Sequence, residues 1–170
     1  MADSSTSTTT ATAANRMSRD ELDSFLAQPL IARLATVCAD GFPHVSPMWP
    51  VWEDDTIVFA LGEKRLHVRN LRRDPRATVI VDEDWRPRTK RYAAGAAAVV
   101  LSGPVTLLEL DESEQPLNRL VSLHADKFFD GAKDDPEYWE SESSERYHMC
   151  YLRPVKVISW DFRKARAPQT

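Results

Sequence analysis

Cysteine is scarce in this chain. The two that occur, Cys38 and Cys150, stand in separate apolar, strand-like runs and lack metal-ligand spacing. Two buried free thiols in a reducing compartment are the expectation, not a zinc site. Long apolar runs are also missing: none approaches the roughly 18 residues that a membrane-spanning helix needs. Residues 1–16 are rich in Ser, Thr and Ala and contain no apolar signal-peptide core, so they read as a disordered tail. A second short tail is expected at 166–170, and a cytoplasmic location follows by default. A broad excess of positive charge is absent too. The net charge is −4, which argues against non-specific nucleic-acid binding; neither nucleic acid nor membrane is an expected partner. A GxGxxG fingerprint and a Ser–His–Asp or Cys–His pattern are lacking, and no carboxylate pair can be nominated as general acid and base. Catalytic residues therefore stay unassigned.

What remains is ordinary for one globular domain: 170 residues, 42% hydrophobic and 28% charged, long enough for a real core. The most informative stretch is FALGEKRLHVRNLRRDPRATVIV, residues 59–81. An apolar run breaks at Gly62 and a short basic helix follows. Asp74-Pro75 stops that helix, and a second apolar run starts at Ala77. Lys64, Arg65, His67, Arg69, Arg72, Arg73 and Arg76 crowd this segment. A strand that passes through glycine into a basic helix start suits an anion, because first-turn N–H groups point outward and Arg adds charge-assisted bonds. A solvated basic face is the competing reading, and for Arg69, Arg72, Arg73 and Arg76 the favoured one. Asn70 is either a cap or a phosphate contact.

Order is expected from Ser18, where Ser18-Arg19-Asp20-Glu21 reads as a capping box. Leu22, Phe25 and Leu26 form the apolar face of that helix, which ends at Pro29. Ile31 to Val37 reads as a strand, and Ala39-Asp40-Gly41 as a hairpin turn. Phe42 to Trp52 reads as one extended segment. Its Pro43, Pro47 and Pro50 require an edge, a bulge or a ligand-facing position. Thr56 to Leu61 completes an expected antiparallel meander. Further strands are read at 77–82, 93–102, 105–110, 146–152 and 155–162, and helices from Asp111 to His124 and over 136–141. The sum is six or seven antiparallel strands with three or four peripheral helices, closed into a small barrel.

RLATVCADGFPHVSPMWPVW (33–52), TIVFALGEKRLHVRNLRRDPRATVIVDED (56–84) and PVKVISWDF (154–162) together resemble the FMN-binding split-barrel superfamily, the pyridoxamine 5′-phosphate oxidase-like group. The deazaflavin (coenzyme F420) reductase branch looks closest. The resemblance covers about residues 17–165. It implies a mainly β split barrel that works as a homodimer, with cofactor at the subunit interface. It implies that Arg65 and His67, with Asn70, Leu61 and Gly62 nearby, hold a cofactor phosphate, and that Ser46, Pro47, Met48 and Trp49 line the ring. On residues alone, core packing is the favoured reading of the Pro47–Trp52 segment. His67 departs from the family's usual lysine, and Leu66 stands where an arginine often assists.

The function implied is hydride transfer between F420 or FMN and a small conjugated or aromatic substrate. The alternative is a non-catalytic flavin, deazaflavin or haem carrier on the same fold, motivated by His67 and the missing acid–base pair. A pyridoxamine phosphate oxidase proper is disfavoured because the adjacent Arg-Lys pair is absent. His44, His124 and His148 read as structural or exposed on their own evidence; haem ligation by relatives of the fold keeps them in play as ligands. Arg86, Arg88, Lys90 and Arg91 form either a plain surface loop or a partner for an acidic cofactor tail. Trp85, Trp139 and Trp160 are candidates for stacking on ring or substrate from a partner chain.

Overall fold

The computed structural model describes residues 15–83, 97–109, 115–128 and 146–164. Helix α1 (Arg19–Leu26) opens on the capping box: Ser18 Oγ accepts from the Glu21 amide, and the Glu21 carboxylate accepts from the Ser18 amide. Leu22, Phe25 and Leu26 are buried beneath it. Strands β1 (Ala32–Val37) and β2 (Pro43–Met48) form a hairpin whose turn is closed by Gly41, at φ +88°. That positive φ is why glycine stands there. Strands β3 (Val51–Glu53) and β4 (Thr56–Gly62) form a second hairpin, with Asp54 and Asp55 both at positive φ. Helix α2 (Leu66–Arg73), β5 (Arg76–Asp82), β6 (Ala97–Glu109), α3 (Gln115–Phe128), β7 (Tyr147–Leu152) and β8 (Lys156–Asp161) complete the described elements.

The strands pair in the order β2-β1-β5-β6-β7-β4-β3, all antiparallel, and β8 pairs with β6. The result is a split barrel of eight described strands, one more than the sequence suggests. The expected meander does not form. Pro50 is buried and interrupts the ladder between Met48 and Val51, so Phe42–Trp52 becomes two strands in different parts of the sheet. β1 turns away to pair with β5.

Strand β6 serves both halves. Its first part pairs with β5 and β8, and Val105–Glu109 pairs with β7. The crossing lies at Gly103-Pro104. A Cβ at position 103 would overlap the Arg153 carbonyl, so the chains approach there only because a side chain is missing. The main core is built from fully buried Phe59, Leu34, Ile57, Leu61, Val79 and Leu101. A second small cluster, Val51, Val58, Leu120 and Met149, seats α3 on the outside of β3, β4 and β7.

Cys150 is buried and its thiol is pushed up to about 12 by desolvation. Cys38 is only half-buried, which corrects the expectation of two buried thiols. No helix among the described residues is long and apolar enough to cross a membrane. Residues 1–14 of the expected 1–16 tail, the loop with Trp85, Arg86, Arg88, Lys90 and Arg91, the helix over 136–141 with Trp139, the acidic stretch 134–145 and the tail 166–170 lie outside the described residues.

Candidate functional site

Strand β2 alternates along its length. Pro43, Val45 and Pro47 are exposed, while His44, Ser46 and Met48 are half-buried on the opposite face. Period-two alternation puts those three side chains on one side of the sheet. The strand ends the sheet path and pairs with β1, so the edge position expected from its prolines is what forms. Across from this face lies the end of β4, where Ala60 and Gly62 point the same way. The chain then turns through Arg65 into α2.

These elements enclose a cavity of about 570 Å³. Ile31, Pro47, Met48, Trp49 and Leu66 supply apolar wall. Arg65, His44, Ser46, His67, His124 and Tyr147 supply polar groups. No aspartate or glutamate lines it among the described residues. Arg65 is the N-cap of α2, no side chain caps that helix start, and its first turn holds no acidic residue. A first turn leaves N–H groups without intrahelical acceptors and carries partial positive charge, so this end of the cavity favours an anion.

Ser46 bridges two histidines. Its Oγ lies 2.9 Å from His44 Nε2 and 3.3 Å from His67 Nδ1. The two rings are stacked, with centroids 6.4 Å apart. His67 is buried at 7% exposure, so its polarity is held inside the fold and is not part of a solvated face.

Helix α3 closes another side. His124 is buried and packs edge-on against Trp49 and Phe128. Its pKa is pushed down to about 4, mainly by desolvation and further by the Lys127 charge, against a backbone hydrogen bond at Trp49. The ring is neutral at pH 7, and its Nε2 has no hydrogen-bond partner among the described residues. Lys127 fixes the helix by donating to the backbone carbonyls of Leu26 at 2.8 Å and Pro50 at 3.0 Å. Burial pushes its ammonium down to about 8.

Seven of the nine residues singled out from sequence line this cavity: Ser46, Pro47, Met48, Trp49, Gly62, Arg65 and His67. Leu61 does not. It alternates with Ala60 and Gly62 and points into the core, fully buried. Asn70 does not either. Its amide donates to Thr36 Oγ1 at 3.1 Å and reaches Cys38 Sγ at 3.6 Å, tying α2 to β1. The Pro47–Trp52 platform divides: Val51 joins the core, and Trp52 turns to donate to Asp23 of α1 at 2.7 Å.

Three other arginines of the basic block go elsewhere. Arg72 contacts His148 Nε2 at 3.2 Å, Arg73 donates to the Val37 carbonyl, and Arg76 pairs with Asp74. The Arg76 guanidinium holds the Asp74 carboxyl down at about 2. His148 and Trp160 are outside the cavity lining. His44 and His124, read from sequence as structural or exposed, are in it. For His44 the signal was present in the His44, Ser46, Met48 alternation. His124 arrives from α3, and nothing local in its helix announces the cavity. No cluster of His, Cys, Asp and Glu fit for a metal ion occurs among the described residues.

A family model described as pyridoxamine 5′-phosphate oxidase matches residues 18–160. Among solved structures, the chain is similar to a conserved hypothetical protein from Mycobacterium tuberculosis. The two are 23% identical, 95% of this chain and 96% of that one are covered, and the TM-score is 0.76. It is similar to an F420 reductase at 24% identity, covering 79% of this chain and 94% of that one, TM-score 0.59. It is also similar to the haem storage protein HutZ from Vibrio cholerae at 18% identity, covering 83% and 94%, TM-score 0.62. At these identities the likenesses establish a shared fold.

Proposed function

The chain belongs to the pyridoxamine 5′-phosphate oxidase family, and on that premise we propose that its cavity binds a flavin-type cofactor, FMN or F420, for hydride transfer to or from a small conjugated or aromatic substrate. One observation carries this reading. The same cavity joins an anion-favouring helix start and Arg65 to an apolar wall that includes Trp49. A cofactor with a phosphate and a flat ring needs both, and a volume of about 570 Å³ is in the range of small-molecule sites.

Each residue has a physical task. Arg65 and the first-turn amides of α2 hold the phosphate. Pro47, Met48 and Trp49 orient the ring and exclude water from one side of it. When bound, the cofactor supplies the hydride chemistry, and the protein supplies position and a dry wall. The exposed apolar residues Ile31, Trp49 and Leu66, all lining the cavity, support a homodimer that covers the cavity mouth with a second copy. Light scattering coupled to size exclusion tests this; a monomer at working concentration removes the dimer.

The second reading is a carrier. Three histidines line the cavity, and imidazole is an axial ligand for haem iron. Titration of the purified protein with FMN, F420 and haem, followed by tryptophan quenching, separates the readings. Quenching by FMN or F420, much reduced in Trp49→Phe, together with turnover of an enone, quinone or nitroaromatic, is the expected result. Flavin or deazaflavin binding without turnover, or haem binding alone, selects the carrier. Binding of none of the three removes both.

A further inference from the structure

Ser46 has one hydroxyl proton and two ring nitrogens within reach, His44 Nε2 at 2.9 Å and His67 Nδ1 at 3.3 Å. With both rings neutral, the trio satisfies itself. One ring donates N–H to Oγ, and the hydroxyl donates to the bare nitrogen of the other. With both rings protonated, both nitrogens donate to Oγ and the hydroxyl proton has to turn elsewhere. All three side chains line the cavity, so the protonated trio offers two cations and one O–H donor in one place.

We infer that His44, Ser46 and His67 form a proton-coupled subsite for a phosphate monoester, in which a dianion draws protons onto the two rings and accepts the Ser46 hydroxyl. This rests on the proposed cofactor site. It adds His44 to that site and moves Ser46 from the ring to the phosphate.

Among the described residues, the other titratable or charged side chains lining the cavity are Arg65 from the turn before α2, His124 from α3 and Tyr147 from β7. Glu63 and Lys64 of that turn do not line it. Arginine ordinarily stays charged and tyrosine ordinarily ionises far above neutrality. His124 is held neutral down to about pH 4 by desolvation. Histidine is the side chain whose charge ordinarily changes between about pH 5 and 8, and the two rings that bracket Ser46 are those of His44 and His67. A diester, such as the phosphate of F420, has one negative charge that Arg65 and the helix start can balance. A monoester, such as that of FMN, has up to two at neutral pH, and the trio is matched to the second.

Calorimetric titration of the intact protein tests this with FMN, with riboflavin (the same ring without phosphate) and with F420. Two buffers of different ionisation enthalpy count the protons. Working at about pH 7.5 keeps FMN as a dianion, since its second ionisation is near pH 6. The expected result is net proton uptake with FMN and none with riboflavin, and FMN affinity that weakens as pH rises, by up to about tenfold per unit for one fully coupled proton. His44→Gln should lower the uptake. Ser46→Ala should weaken FMN and leave riboflavin unchanged, with both variants retaining the wild-type melting temperature.

Equal uptake for FMN and riboflavin, wild-type uptake in His44→Gln, equal loss of both ligands in Ser46→Ala, or F420 binding without FMN binding each overturns the subsite. FMN binding with no proton uptake overturns the subsite alone and leaves the cofactor reading standing. Failure of both FMN and F420 to bind at any pH overturns that reading as well.

Discussion

The first hairpin, β1–β2, carries His, Ser and Pro through its second strand. The second, β3–β4, runs Ile57, Val58, Phe59, Ala60 and Leu61 without a polar residue. The first ends the sheet path and alternates between exposed and half-buried. The second pairs with β7 and places Ile57, Val58, Phe59 and Leu61 out of water. They face each other across the cavity, yet one supplies its polar chemistry and the other its foundation. Both are short antiparallel hairpins that end the sheet path, so the difference lies in side-chain pattern and in the strand that faces the cavity, outermost β2 in the first and inner β4 in the second.

The largest break in this comparison is expected from Phe59→Ala. The side chain is fully buried in the main core, and truncation should cost about 3–5 kcal/mol, read by urea unfolding. A loss under about 1 kcal/mol would show that the second hairpin is not the foundation.

The next effect joins α3 to the first hairpin. His124 packs on Trp49 with its pKa depressed to about 4, against an ordinary value of 6.5. Between these values the unfolded chain binds more protons than the native one, so stability falls as pH is lowered from about 6.5 to about 4. The full difference is roughly 3 kcal/mol. His124→Phe should flatten this acid limb; an unchanged profile would free His124 from it.

Arg65→Ala sharpens the contrast between site and scaffold. Cofactor affinity should drop by about 1.5–3 kcal/mol through loss of a charge-assisted bond, while unfolding stability moves by less than about 0.5 kcal/mol. An unchanged dissociation constant would take Arg65 out of the site.

The smallest test uses one substitution twice. Val58→Thr buries a hydroxyl and should cost about 1–3 kcal/mol. Val45→Thr, at a position 57% exposed, should stay within about 0.5 kcal/mol. A larger loss at Val45 that depends on protein concentration would place it in a contact between copies.

Local signals carried much of this into the sequence. Ser18 and Glu21 announce the capping box, Gly41 the first turn, and the prolines of β2 its edge. The seven cavity residues named from sequence lie in two continuous segments, 46–49 and 62–67, where motif and geometry coincide. The meander failed at Pro50, which splits the expected 42–52 strand in two, and pairing of β1 with β5 is decided by long-range packing. Asn70 looked like a ligand contact because an amide beside arginines fits that role. Only Thr36 and Cys38, on another element, show that it is a tie inside the fold. His124 was hidden for the same reason: the wall it completes is made by residues far away in the chain.

Gly62 ends β4 and pairs with Tyr147 of β7, so the turn that leads to Arg65 is braced by a strand synthesised much later. Until β7 docks, a nascent chain can hold the basic helix but not the pocket wall. Pairings of such long sequence separation form late and slowly. Cofactor should therefore report completion of the fold and should not template its early steps. In refolding, bound cofactor should slow unfolding while leaving the folding rate nearly unchanged.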